Sequence, residues 1–365
     1  MVKFIIMEKI RVVVGLSGGI DSSVAALLLK EKGYEVIGIF MKIFDEKDRK
    51  FVNFKSSCYG PEEKDIEDVE KVCKILNIPF YIIDLRKEYN EIVFEYFKNG
   101  YLSGKTPNPC VICNRYLKFD ILLKKAFSLG IKFDYFATGH YARVFFDEKR
   151  KRYILKKGID KDKDQSYFLF LLTQKQLSQI IFPLGEYKKM DIRRIAKENN
   201  LPLSDKEESQ DFIGGDRFFI FGDSRKEGDI IDKNGNILGK HKGIIYYTIG
   251  QRRGLGIAKG KPLYVIEIDG KNNKIVVGEE KDLYKKILIA ENINFISIEK
   301  LEKSMKVNAK IRYKHNPAKA IITPIEDNKV RVEFEKPQRA PTPGQAIVFY
   351  EDDEVVGGGF ISEVL

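Results

Sequence analysis

Short apolar runs alternate with amphipathic stretches through the first 140 residues. RVVVGL (11–16) reads as a buried strand, and SSVAALLLKEKG (22–33) as a helix closed by a glycine cap. EVIGIFM, PEEKDIEDVEKVCKILN and PFYIIDL then repeat the strand, helix, strand order. A helical stretch near 89–98, a loop holding TPNPC, a helix from about 114 to 129 and a strand FDYFATGH (133–140) follow. Strands separated by helical segments predict an α/β fold built on a doubly wound, mostly parallel sheet. Past Asp164 the texture is helical (SYFLFLLT, TQKQLSQII, YKKMDIRRIAKENN) up to about Asn200, and the polar LSDKEESQD marks a boundary. Short β runs with glycine turns come next, GDIIDKNGNILGKHKGIIYYTIGQRRGLGI, as a small β-rich central domain. From about Lys285 the runs VNAKIRY, KAIITPI, KVRVEF, QAIVFY and EVVGGGFI have the spacing of a C-terminal antiparallel β-barrel. The expected domains are therefore 1–204, 205–284 and 285–365.

Composition changes this picture in three ways. No window approaches the ~18 consecutive apolar residues of a membrane span, and the start MVKFIIMEKIRVVVGLSGG has no small-residue cleavage site, so a cytoplasmic protein is expected. Lys and Arg number 64 against 53 Asp and Glu, an excess of 64 − 53 = 11. That balance favours a polyanionic partner, because neutralised phosphates release counterions, although charge alone fits a generally basic surface equally well. Four cysteines, Cys58, Cys73, Cys110 and Cys113, in 365 residues make no disulfide scaffold. Cys73 falls among apolar neighbours in a helix and reads as a plain buried cysteine; the pair Cys110 and Cys113 needs another explanation.

The first strand runs into Gly15-Leu16-Ser17-Gly18-Gly19-Ile20-Asp21-Ser22-Ser23. Successive glycines let backbone N–H groups converge on an anion, and the helix N-terminus adds positive potential. Ser17, Ser22 and Ser23 offer hydroxyls to phosphate. Asp21 would repel bare phosphate, so it makes most sense holding Mg²⁺. The GxxxxGK[ST] loop of kinases and GTPases is absent. The segment resembles SGGxDS, the pyrophosphate loop of the N-type ATP pyrophosphatases, with an adenine nucleotide alpha hydrolase-like fold. Those enzymes cleave ATP between the α- and β-phosphates and leave an adenylated substrate.

Four further segments narrow the substrate: Thr106-Pro107-Asn108-Pro109-Cys110-Val111-Ile112-Cys113-Asn114-Arg115, Ala137-Thr138-Gly139-His140-Tyr141, Lys163-Asp164-Gln165-Ser166-Tyr167, and Thr248 to Gly256 (TIGQRRGLG). In order and spacing they resemble the bacterial tRNA-specific 2-thiouridylase family, from about residue 9 to the C-terminus. The resemblance implies adenylation of the wobble uridine O2 of tRNA, replacement of that oxygen by sulfur, and loss of AMP and pyrophosphate. It implies that Gly15, Leu16, Ser17, Gly18, Gly19, Ile20, Asp21, Ser22, Met41 and Gly139 hold ATP, with Asp21 also catalytic through Mg²⁺. Asn108, Pro109 and Cys110 fall in the target-base segment, and Cys113 matches the nucleophile. His140, Lys163, Asp164, Gln165, Arg312, Tyr313 and Gln345 match tRNA-contacting positions, the acceptors being tRNAs with Lys, Glu and Gln anticodons. Two plainer readings stand beside these: His140 as a structural histidine at a strand end, and the stripe Lys306, Lys310, Arg312, Lys314, His315 as a solvated barrel face.

The chain departs from the family at one place. Most members carry a second cysteine in a segment like ESQDICFIG, which takes a persulfide from a sulfur carrier. Here the segment is Glu208-Ser209-Gln210-Asp211-Phe212-Ile213-Gly214, lacking two residues including that cysteine, and no cysteine follows Cys113. The surviving Cys58, Cys110 and Cys113 could hold a [4Fe-4S] cluster with one open iron for sulfide. Cys113 acting alone on sulfide or persulfide, or a zinc site, are the alternatives.

Overall fold

The computed structural model describes residues 9–47, 56–202, 211–213, 221, 226–257, 260–326 and 328–365, with backbone alone for 56–59 and 211–213. The chain opens with β1 (Arg11–Leu16), α1 (Ile20–Glu31), β2 (Glu35–Lys42), β3 (Ser56–Tyr59), α2 (Glu63–Leu76), β4 (Phe80–Asp84) and α3 (Arg86–Tyr89). A widened π-type turn, Asn90–Phe94, leads into α4 (Glu95–Leu102) and α5 (Pro109–Ile112). A second, longer π stretch, Cys113–Ile121, precedes α6 (Leu122–Ser128), β5 (Tyr135–Thr138), β6 (Ala142–Asp147) and β7 (Arg152–Lys157). Then come α7 (Gln174–Leu177), β8 (Ile180–Ile181), α8 (Lys189–Glu198) and β9 (Asp211–Ile213). The remainder is β-rich: β10 (Gly228–Ile231), β11 (Ile237–His241), β12 (Tyr264–Asp269) and β13 (Lys274–Gly278). It ends with β14 (Tyr284–Phe295), β15 (Met305–Lys310), β16 (Ala318–Glu326), β17 (Lys329–Arg339), β18 (Ala346–Glu351) and β19 (Glu354–Val364).

The chain forms two compact units, one of residues 1–89 and 114–215, the other of 90–113 and 216–365. In the first, a parallel sheet runs in the order β4-β2-β1-β5-β8. β1 is central, and Val12, Val13 and Val14 are fully buried on both faces, as a parallel strand between covering helices demands. α1 is buried along nearly its whole length, from Ile20 to Leu29, and packs with α2 and α8. The first turn of α1, the ends of β2 and β5, and the β1 loop all lie at the C-terminal edge of the sheet, where ligands bind in open α/β sheets. β3 pairs in parallel with β9, Ser56 opposite Asp211 and Tyr59 opposite Ile213, with a bulge between them.

In the second unit, the order β11-β10-β13-β12 makes a small sheet around Ile230, Val265, Ile275 and Val277. Strands in the order β14-β17-β16-β15-β18-β19 close into a barrel because β14 also pairs with β19. Closure removes both sheet edges, and the inward residues Leu288, Val307, Ile322, Val332, Ile347 and Phe349 form the core.

Several local expectations change. SYFLFLLT is no long helix but a single 3₁₀ turn, Ser166–Phe168, held by the burial of Tyr167, Leu169 and Phe170. The end of TQKQLSQII is the edge strand β8, which pairs with β5 through Phe136–Ile180 and Ala137–Ile181. The strand expected over 133–140 is only Tyr135–Thr138, which leaves Gly139 and His140 in the exit loop. The β6–β7 hairpin and β14, the strand that closes the barrel, had no place in the sequence reading. No helix among the described residues is long and apolar enough to cross a membrane.

Candidate active site

The loop after β1 is shaped by packing as well as by composition. Gly18 has φ +69°, and a Cβ there would lie 2.8 Å from the Cα of Asp65 at the start of α2; both facts require glycine. Ser22 Oγ donates to Gly19 O at 3.1 Å and accepts from Ser17 N at 3.2 Å, while Ser23 Oγ donates to the same carbonyl at 3.0 Å. These bonds fold the loop over the first turn of α1, whose N-terminus carries positive potential. Gly139, at the exit of β5, packs on that turn: a Cβ there would sit 2.7 Å from Ser22 N and 2.8 Å from Asp21 C. The structure thus brings Gly15–Ser22 and Gly139 together, with Met41 near the end of the neighbouring strand β2.

Asp21 is held by two residues that sequence reasoning did not single out. Lys189 Nζ donates to both carboxylate oxygens at 2.8 Å, and Tyr141 Oη donates to Oδ1 at 2.8 Å. The Lys189 side chain is 9% exposed and that of Asp21 30%, so the lysine is committed while the carboxylate keeps a solvent-facing side. Tyr141 was visible in ATGHY but had no assigned role. Lys189 carries no local signal, being one of two lysines opening a helix. Glu62, equally unmarked in the sequence, braces the exit of β2 instead: its Oε1 accepts from Ile43 N at 2.9 Å and Phe44 N at 3.2 Å, just after Met41. Its Oε2 is buried without a hydrogen-bond partner among the described residues. Burial pushes the Glu62 carboxyl up to about 7, against the two amide bonds that favour ionisation.

His140 has its Nδ1 2.6 Å from Thr138 Oγ1, and its ring packs on Phe119 and Phe182 at 5.8 and 5.9 Å. Burial first, and the Lys118 charge second, hold it well below the usual histidine range. Gln165 Oε1 accepts from Tyr141 N at 3.0 Å and Gln165 N donates to Tyr141 O at 2.9 Å, so Gln165 fixes the backbone of the Asp21 partner. Asp164 spends its carboxylate on the turn, accepting from Gly158 N, Ser166 N and Ser166 Oγ. Lys163 is half-buried in that turn. Cys73 lies under the sheet, 4% exposed, with its thiol pushed up by burial to about 12.

In the second unit, Asn108 is buried at the N-terminus of α5, Pro109 opens the helix, and Cys110 and Cys113 are half-buried. The segment is anchored to the barrel: Gln345 Nε2 donates to Thr106 O at 2.8 Å, and Thr106 N donates to Pro343 O at 2.9 Å. Arg312 donates to Arg339 O at 3.0 Å, and Lys310 lies over the Tyr313 ring at 5.3 Å. His315 shares a hydrogen bond with Gln338 at 3.0 Å. Of the remaining expectations, Glu208, Ser209, Gln210 and Gly214 lie outside the described residues, as does the Cys58 side chain.

A parallel sheet with this loop at the head of its first strand defines an adenine nucleotide alpha hydrolase-like protein of the pyrophosphate-loop class. Residues 10–214 match the family described as tRNA methyl transferase HUP domain. Residues 222–279 match its PRC-barrel domain, and 285–361 the aminomethyltransferase beta-barrel domain. A protein of Thermoanaerobacter sp. (strain X514) named tRNA-specific 2-thiouridylase MnmA 2 is 54% identical over 362 residues, 97% of this chain and 98% of its own length. The tRNA-specific 2-thiouridylase MnmA of Acetivibrio thermocellus is 49% identical over 97% of this chain and all of its own. The chain belongs to the tRNA-specific 2-thiouridylase family. Among solved structures, a 4-thiouridine synthetase in complex with RNA and ATP is 20% identical over 57% of this chain and 45% of its own, with a TM-score of 0.37.

Proposed function

We propose that the protein is an ATP-dependent tRNA uridine 2-sulfurtransferase. Uridine O2 attacks the α-phosphorus of ATP and pyrophosphate leaves. A sulfur nucleophile then attacks C2, and the adenylated oxygen departs as AMP. The observation that carries this reading is the glycine-bearing loop Gly15–Ser22, folded over the first turn of α1, in a chain 54% identical along nearly its whole length to a named 2-thiouridylase. Activation is chemically necessary, since a carbonyl oxygen leaves poorly until it is esterified to phosphate. The amides of the loop and the α1 N-terminus would receive the phosphates, Met41 and Gly139 the adenosine side. Lys189 places a positive charge beside the carboxylate where pyrophosphate charge develops. Mg²⁺ is commonly bound through one or two carboxylates plus substrate phosphates; Asp21, with its solvent-facing side, fits that demand and would supply the ligand.

In this reading the tRNA is held at Asn108, Pro109 and Cys110, at His140 and the Lys163, Asp164, Gln165 turn, and on the barrel at Arg312, Tyr313 and Gln345. The acceptors are those with Lys, Glu and Gln anticodons, and a base flipped from its stack reaches the pocket. For the sulfur, Cys58, Cys110 and Cys113 are proposed to hold a [4Fe-4S] cluster, which when bound supplies an open iron for sulfide. No group of three metal-ligating side chains occurs among the described residues, and the described donors are two thiols, soft ligands suited to iron–sulfur rather than to a hard cation. Support for Cys58 comes from the backbone: β3, which carries it, pairs with β9, the segment in which the family's second cysteine is missing. A reducing cytosol would keep these cysteines from oxidising.

The test is tRNA-dependent exchange of ATP with labelled pyrophosphate. Exchange that requires unmodified tRNA and is lost in Asp21→Asn supports the reading; exchange with a small metabolite in place of RNA overturns it. Replacing Cys58 with Ala should remove iron after anaerobic reconstitution. Iron content and activity that both survive would sink the cluster.

A further inference from the structure

The thiol assigned to sulfur handling, Cys113, is the first residue of the nine-residue π stretch Cys113–Ile121. Such wide turns are uncommon, and they gather at functional positions. Each carbonyl there bonds to an N–H five residues on rather than four. Two carbonyls of the stretch also accept from one side chain. Gln176 Nε2 donates to Arg115 O at 3.0 Å and to Phe119 O at 2.9 Å. These carbonyls are four residues apart on the stretch, so both amide hydrogens are spent on it.

The opposite end of that side chain fixes which way the amide faces. Gln176 Oε1 accepts from Thr173 N at 3.0 Å and from Thr173 Oγ1 at 3.1 Å, while Gln176 N donates to Thr173 Oγ1 at 3.3 Å. This capping box starts α7, and with two donors on one side and two carbonyls on the other the amide has a single orientation. Gln176 is 9% exposed. A second anchor is Asn114, 4% exposed, which donates to Phe168 O at 3.2 Å. The Phe119 ring is wedged against Phe136 and Phe182 at 5.5 and 6.0 Å.

An α-helix advances ~100° per residue, and an i→i+5 turn roughly 80°. Relaxing the stretch to α geometry would therefore turn Cys113 by about 40° relative to Arg115, and by about 120° relative to Phe119. We propose that Gln176 is a positioning residue for the Cys113 thiol, acting by holding the widened turn in register. The proposal rests on the reading of Cys113 as the sulfur-handling residue.

Gln176→Met removes the two donors at nearly constant volume, and Gln176→Glu keeps the capping-box acceptor while losing the donor pair. Three quantities are read on the full-length protein: pyrophosphate exchange, 2-thiouridine turnover, and the iodoacetamide labelling rate of the Cys113 peptide. The expected result is exchange within about twofold of wild type, thiolation kcat down ~10–100-fold at unchanged KM for ATP and tRNA, and Cys113 labelling shifted at least fivefold or so. Wild-type thiolation and labelling in either folded variant overturns the proposal. Should Gln176→Met fail to fold, Gln176→Glu decides the matter, and should both fail, a role confined to folding replaces positioning. Cys113→Ser in the same assays separates the two ideas: if it still thiolates, the reading of Cys113 falls, whatever Gln176 does.

Discussion

Glu62→Gln is the substitution whose effect can be worked furthest from the structure. The wild-type carboxyl sits against Ile43 N and Phe44 N with its second oxygen buried, and burial raises it from 4.5 to about 7. A carboxylate with a raised folded value binds its proton more tightly folded than unfolded. Between pH 4.5 and 7 stability therefore falls as pH rises, and above 7 the full cost of the buried charge is present. At about 1.4 kcal/mol per unit the shift corresponds to about 3 kcal/mol, which partial solvent contact reduces to about 2. Glutamine keeps an oxygen for the two amides and carries no charge. Thermal scans of both proteins should show the variant higher by no more than about 1–2 °C at pH 5, where roughly a quarter of the cost is present. At ~2–4 °C per kcal/mol for a compact unit of this size, the variant should be higher by about 4–8 °C at pH 8. A difference that does not change with pH, or a variant less stable at pH 8, would refute the burial argument. ATP affinity is a second readout, because Ile43 and Phe44 follow close behind Met41.

Three other substitutions and labellings test the site itself. Lys189→Met strips the counter-charge from Asp21, and with that carboxylate partly hydrated the expected loss is about 1–3 kcal/mol of stability. Pyrophosphate exchange should fall ~10²-fold, and an unchanged exchange rate removes Lys189 from the mechanism. Gly139→Ala puts a methyl group 2.7 Å from Ser22 N, so exchange should drop at least ~10²-fold; activity near wild type would mean the loop yields easily. Native alkylation followed by peptide mapping should label Cys110 and Cys113 at least ~10²-fold faster than Cys73, whose thiol stands near 12. Comparable labelling of Cys73 would contradict its burial.

The parts of the fold legible in the sequence are those where one local rule decides. Val12, Val13 and Val14 announce a strand buried on both faces, and Gly15–Ser22 announces a turn onto a helix, because backbone N–H convergence needs glycine wherever it occurs. What the pattern hides is pairing and register. Ile180 and Ile181 look like the end of a helix, since only the distant β5 edge makes them a strand. Cys113–Ile121 has an ordinary amphipathic spacing, and two of its carbonyls accept from the amide of Gln176, about sixty residues away in sequence. Lys189 and Asp21 are separated by 168 positions, and nothing near either one names the other. The passage of Asn90–Cys113 into the second unit likewise rests on contacts such as Gln345 with Thr106.

Sulfur transfer to tRNA is read out by an anaerobic thiolation assay with unmodified tRNA, ATP, Mg²⁺ and inorganic sulfide. AMP and 2-thiouridine are counted with and without prior iron–sulfur reconstitution. One AMP should be released for each 2-thiouridine formed, only after reconstitution, and both products should be lost in Asp21→Asn. AMP release without any thiolated base, in either preparation, would contradict the assignment of a tRNA uridine as the acceptor of sulfur.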